Sequence, residues 1–326
     1  MSEGRTGVLV MGFGGPDCLE AVGPFMCNLM GREPSEELVS RVQRRYLAIG
    51  GSSPLPEIAS ALAGKLENAL AGAGHDVPVA VGMRYWDPFI EDGIAYLVAN
   101  GCSRIILLSL SPFESKVASG AYRESVEAAS AAHPELEFVE APLISELDEF
   151  IAFYAGSTAV ELMDIEPNEG VVLAFSAHSL PESDLTEDDP YVAGLRATAD
   201  RLALKLGLKE GHDGAGGLMF EQFRTFGSDE PPRAWYLVFQ SKGQRPGAWL
   251  GPDLDELIEA LADTPATGLI VVPIGFATDH METLYDLDIV SAGNALDRDL
   301  IFARAQVPND HDTIVAGLVR VLGGML

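Results

Sequence analysis

Two short stretches hold the side chains in this sequence that are best suited to chemistry. VVLAFSAHSLP (Val171–Pro181) is an apolar run ending in Ser176, His178 and Ser179, closed by a proline. GLIVVPIGFATDHMETLYD (Gly268–Asp286) has the same design and delivers Asp279, His280, Glu282 and Asp286. Neutral imidazole takes up a proton or binds a metal near neutral pH. Glu282 and Asp286 are four residues apart and share a helix face. With Asp279 and Asp288 they form a row of carboxylates that could carry a divalent cation toward a site. The plain alternative for such a row is a solvated helix start favoured by the helix dipole.

Several chemistries are excluded by pattern. SAHS lacks the GxSxG of a nucleophile elbow, and DHME is not the HExxH of a zinc protease. MGFGGP lacks the third glycine of a dinucleotide loop, and no GxxxxGK[ST] occurs. The net charge of −28 argues against nucleic acid and anionic membrane surfaces as partners. An anionic ligand would need the sparse cations Arg32, Arg45, Arg84, Lys116 and Arg123 to converge.

The elements that position these groups alternate. Apolar strands are expected near residues 6–11, 77–81, 104–110, 136–139, 171–175, 235–240 and 269–274. Amphipathic helices lie between them, including one capped by Ser35 and one with Pro88 at its first helical position. This alternation implies parallel sheets covered by helices on both faces. The 326 residues fit two doubly wound halves, 1–150 and 151–326, joined near 145–165, with no sequence repeat between them. The last helix, near 310–322, is free to pack back on the first half. Leu208–Pro232, rich in Gly and charge, reads as a surface insertion. No apolar run is long enough to span a membrane, and the N-terminus reads as a strand rather than a signal peptide. The three cysteines form no CxxC pair and fit free thiols in a cytoplasmic protein.

The motifs VLVMGFGGPD, RRYLAIGGSSPL, RYWDPFIEDGI, FSAHSLPE, FQSKGQRPGAWLGPDLDEL and PIGFATDHMETLYDLDI together resemble the ferrochelatases, the iron-inserting enzymes of haem synthesis. The resemblance runs from residue 8 to 289. It implies the class II chelatase fold: α/β, with two Rossmann-like doubly wound domains, each holding a parallel four-stranded sheet, and a cleft between them. It also implies a monomer that inserts Fe2+, as substrate, into a porphyrin and releases two protons, with no tightly bound cofactor and no ATP. His178 and Glu282 match the family's site histidine and its partner carboxylate, as proton acceptor and metal ligand in an order the residues leave open, with Asp286 as accessory. Phe13, Leu29, Met30 and Trp249 fall where a flat apolar ring would be gripped. Arg45, Ser53, Arg84 and Tyr122 fall where porphyrin carboxylates or hydroxyl partners would be met.

The sequence also departs from the family. Phe13 stands where many members carry a tyrosine, so residue 13 cannot ligate iron, which leaves Met30 or water as weaker axial candidates. Val290 interrupts the acidic row one turn past Asp286. Some members hold a [2Fe–2S] cluster through cysteines near the C-terminus. This chain has no cysteine after Cys102, so that cluster is not expected. The FGGP start and the lack of an apolar lip resemble the actinobacterial branch and point to coproporphyrin III. The alternatives are protoporphyrin IX, a cobalt or nickel chelatase of another tetrapyrrole, and a non-catalytic tetrapyrrole-binding protein.

Overall fold

The computed structural model describes residues 4–165, 170–186, 189–208, 235–243 and 245–326. The expected insertion at 209–232 lies outside the described residues. The chain divides into two compact units. One comprises Met1–Phe150, Ala277–Met281 and Pro308–Leu326; the other comprises Ile151–Phe276 and Glu282–Val307.

In the first unit, β1 (Arg5–Gly12) is flanked by β2 (Val79–Met83) and β3 (Cys102–Ser109), and β4 (Glu137–Glu140) pairs with β3. All three pairings are parallel. The helices are α1 (Val22–Met30), α2 (Glu36–Ala48), α3 (Leu55–Gly72), α4 (Ile90–Ala99) and α5 (Ala121–Ser130). The Ser35 hydroxyl accepts from the Leu38 amide, as the capping pattern predicts. Pro88 is not the first helical residue of α4. The Pro88 carbonyl accepts from Met83, Phe89 is extended, and the Asp92 carboxylate accepts from the Phe89 amide at 2.9 Å. The cap therefore sits at Phe89, and the proline belongs to the loop before it. Helix α1 goes unseen in the sequence pattern because Val-Gly-Pro-Phe-Met has no polar face and no capping side chain.

The second unit repeats this topology. β5 (Val171–His178) lies between β6 (Trp235–Gln240) and β7 (Gly268–Val272), with β8 (Ile301–Arg304) beyond β7. All pairings are again parallel. α6 (Asp148–Asp164) carries the chain in, and α7 (Pro190–Lys205), α8 (Leu254–Leu261) and α9 (Ala292–Leu296) follow, while α10 (Asp312–Gly323) belongs to the first unit. β8 is a four-residue edge strand without alternation, which is why its pattern is silent. Val172, Ala174, Tyr236, Val238, Leu269 and Val271 pack against Leu254, Leu257, Ile258 and Leu261 of α8. Each large apolar side chain buried this way contributes about 1.5–3 kcal/mol. Among the described residues no helix is long and apolar enough to cross a membrane.

Two contacts fix the loop leaving β7. The Tyr154 hydroxyl of α6 lies 2.7 Å from both the Pro273 and Phe276 carbonyls. The Gly275 amide donates to the Ser176 carbonyl at 3.0 Å. Residue 275 passes so close to β5 that a Cβ there would come within 2.6 Å of Ala177 Cα. Gly275→Ala must push the loop off the strand that carries His178. It is expected to cost about 1–3 kcal/mol of stability, read as a lower denaturation midpoint with unchanged m-value.

Candidate active site

A parallel sheet covered on both faces makes β5 apolar on both sides, and its side chains stay buried through Ala177. His178, the last strand residue, is the first to emerge, with 32% of its side chain exposed. The order β6-β5-β7-β8 places the topological switch point between β5 and β7, where open α/β sheets bind ligands beyond the carboxyl ends of their strands. The segment after β7 returns to that point. Glu282–Ser291 forms a π-helix whose first residue sets its carboxylate Oε2 3.0 Å from His178 Nδ1. The other ring nitrogen, Nε2, makes no hydrogen bond among the described residues.

The surroundings hold this pair from behind. The Tyr191 hydroxyl, in the first turn of α7, donates to the His178 carbonyl at 2.8 Å. Burial and the charge of Glu282 push the Tyr191 phenol well above its ordinary range, so it remains a donor. Gln240 at the end of β6 donates to the Glu282 carbonyl at 2.9 Å. Ser241 donates to the Asp286 carboxylate at 2.5 Å. Burial alone would lower the titration point of His178. The Glu282 carboxylate, by charge and hydrogen bond, and Asp286 outweigh it and raise that point above 6.5.

Of the carboxylate row expected from the sequence, only Glu282 and Asp286 serve this place. Asp288 is engaged by Arg304 through two hydrogen bonds of 2.6 and 2.9 Å. Asp279 is bound by Asn309, which accepts from its amide at 2.7 Å and donates to its carboxylate at 2.8 Å. The π geometry corrects the expectation of an ordinary helix, although its wider turn still leaves residues four apart on one side. Among the described residues no group of three or more His, Cys, Asp or Glu side chains gathers as a closed metal cage. Trp249, in the same unit, donates its indole N–H to the Arg245 carbonyl at 3.1 Å and lies against Gly243.

The remaining residues singled out in the sequence belong to the first unit. Phe13 and Met30 lie in one partly exposed apolar cluster with Phe25, Tyr85 and Trp86; the Phe13 and Tyr85 rings are 4.8 Å apart, edge to face. Leu29 on α1 is 40% exposed. The Arg84 guanidinium lies 4.9 Å from the centre of the Tyr85 ring, and Arg45 on α2 is half-buried. Ser53 and Tyr122 are both buried. Ser53 is buried against Gly15, and its hydroxyl accepts from the Leu55 amide at the start of α3. Tyr122 is 3% exposed inside the core around Leu9, Ile94 and Leu107, so it offers almost no surface to a ligand. Arg123 is spent on Glu114 and Glu140, and Arg32 and Lys116 are exposed. Gln240, Ser241 and Tyr191 escaped sequence reasoning. The signal available for Gln240 was a polar residue closing the apolar strand WYLVFQ.

The ferrochelatase family model matches residues 5–324. The chain belongs to the ferrochelatase family. It is a metal chelatase, and ferrochelatases take ferrous iron as substrate. A ferrochelatase from Herpetosiphon aurantiacus is 30% identical over 98% of this chain and 99% of its own. A protein named coproporphyrin III ferrochelatase from Halalkalibacterium halodurans is 30% identical over 99% of this chain and 97% of its own. Among solved structures, SirB from Bacillus subtilis with Fe3+ superposes with a TM-score of 0.53 at 14% identity, covering 98% of this chain and 94% of that one. CbiX, the terminal enzyme for biosynthesis of siroheme in denitrifying bacteria, gives 0.52 at 12%, covering 99% of each chain. At such identities these two show a shared fold.

The pair makes a prediction about protonation. A histidine whose folded-state titration point is raised stabilises the fold most below its unfolded value of about 6.5, and that contribution is lost as pH rises through the folded value. In the free protein, the His178 ring should titrate above 6.5 by NMR. Glu282→Gln removes the larger of the two raising charges and should move that titration to lower pH.

Proposed function

We propose that the chain inserts Fe2+ into coproporphyrin III at His178 and Glu282, yielding coproheme and two protons. The reading is carried by the hydrogen bond between His178 Nδ1 and Glu282. That contact aims one ring nitrogen at the carboxylate and leaves Nε2 for a pyrrole N–H. When Nε2 takes a pyrrole proton, the ring becomes an imidazolium, and the charges of Glu282 and Asp286 favour that form. The same carboxylates attract the divalent cation, and an incoming Fe2+ repels the imidazolium, which favours release of the proton to solvent. Metal and proton thus exchange places against one acidic wall. The two N–H nitrogens of the ring exchange their bonds to hydrogen for bonds to iron, the other two bind it through lone pairs, and no electron changes hands.

The choice of coproporphyrin III rests on the substrate named in relatives such as that of Halalkalibacterium halodurans, and on cations in the first unit. Coproporphyrin III carries four propionates against two in protoporphyrin IX. Arg84 and Arg45 are proposed to meet carboxylates, and Phe13, Leu29, Met30 and Trp249 to contact the macrocycle.

Anaerobic metallation followed by absorbance tests both levels of the reading. The wild-type enzyme should metallate coproporphyrin III with Fe2+ faster than protoporphyrin IX. His178→Ala should lower kcat by about 100-fold or more, the scale on which positioned acid–base groups act. Metallation of neither porphyrin would sink the insertion reading. Equal rates would sink the substrate preference, and binding without metallation would favour a tetrapyrrole carrier. A preference for cobalt or nickel would assign the site to another chelatase chemistry. Arg84→Leu should raise KM for coproporphyrin III more than for protoporphyrin IX, since it removes a cation from the substrate with more carboxylates.

A further inference from the structure

Ser176 is a polar interruption in the apolar strand β5 and is fully buried. Gln240, which closes β6, is 3% exposed. The Ser176 hydroxyl lies 2.8 Å from Gln240 Oε1, and Gln240 Nε2 lies 2.9 Å from the Glu282 carbonyl. The direction of each bond is forced. A carbonyl only accepts, so the amide nitrogen must face Glu282. The amide oxygen then faces Ser176, whose hydroxyl must donate. Polar groups persist in a core when each finds a partner. Here the satisfied chain runs from inside one strand, through the end of the next, onto the backbone of the residue whose carboxylate meets His178.

The strand register adds a second constraint. Gln240 pairs with His178 across β5 and β6. The residue beside the imidazole is therefore the same residue that anchors the carboxylate's backbone. Ser241 repeats the clamp one residue on: it holds a left-handed backbone at φ 57° and donates to Asp286. Without the Ser176 hydroxyl the buried amide oxygen of Gln240 loses its donor, and the amide is held only at its nitrogen end, by the Glu282 carbonyl and the Ser241 hydroxyl.

We propose that Gln240, oriented by Ser176, is a positioning residue for metal insertion, fixing where Glu282 sets its carboxylate against His178. The proposal rests on the reading of that pair as the insertion site. Both side chains are buried, so they act through Glu282 and not on the porphyrin.

Full-length wild type, Ser176→Ala, Ser176→Thr and Gln240→Met are compared by anaerobic Fe2+ insertion into coproporphyrin III, by porphyrin fluorescence quenching and by thermal unfolding. Ser176→Ala and Gln240→Met should lower kcat by about 10- to 100-fold, the scale seen when groups that orient metal ligands are removed. Their porphyrin KM and quenching should stay within about twofold of wild type, since ring binding is untouched. Ser176→Thr keeps the donor and should retain most of the rate. With an active wild type, a kcat within about twofold of it in either truncated variant overturns the proposal. So does an equal loss in Ser176→Ala and Ser176→Thr, which would assign the effect to shape. If both truncated variants lose cooperative unfolding, the pair is a folding requirement, and the positioning role is likewise overturned. A wild type inactive toward every porphyrin overturns the insertion reading itself, so the two failures are told apart by the unmutated enzyme.

Discussion

A single contact of 3.0 Å, from the end of one strand to the first residue of a π-helix, sets the terms for everything around it. An imidazole and a carboxylate meet this closely in a partly dry place only if both backbones are held. Tyr191 holds the histidine's carbonyl, and Gln240 holds the glutamate's. The loop that brings the glutamate back is pinned by Tyr154 and by the close approach of Gly275 to β5.

The electrostatics follow from that geometry. Burial by itself would make His178 a weaker base, and the two nearby carboxylates reverse the sign. The result is an imidazole that holds a proton to higher pH than a free one. The large negative charge of the chain is a different matter: Asp279 and Asp288 are bound to Asn309 and Arg304, so much of the acidic row stabilises structure.

Much of this could be read in the sequence because it depends on local pattern. Apolar runs covered on both faces gave the parallel sheets, and His178 and Glu282 stood out as titratable groups at strand ends. What the sequence hid depends on tertiary placement. Tyr122 and Ser53 are polar types with side chains turned into packing, and only the fold reveals which way they face. Glu282–Ser291 shows helical spacing, but nothing in its residue types distinguishes a π turn from an α turn. Gln240 is one polar letter after five apolar ones, and its role exists only once β5 and the π-helix close around it.

The two sheets share one strand order, and that has a consequence for how a function is lodged in a scaffold. Position for position, the central strand of the first sheet ends at Gly12, paired with Met83, and that of the second ends at His178, paired with Gln240. The frame is repeated and the contents are not. One copy of the slot ends in residues with no titratable side chain, and the other ends in an imidazole beside a buried glutamine. Reactivity here is a property of the tenants and not of the architecture, and chains with little sequence in common, SirB and CbiX among them, share the frame.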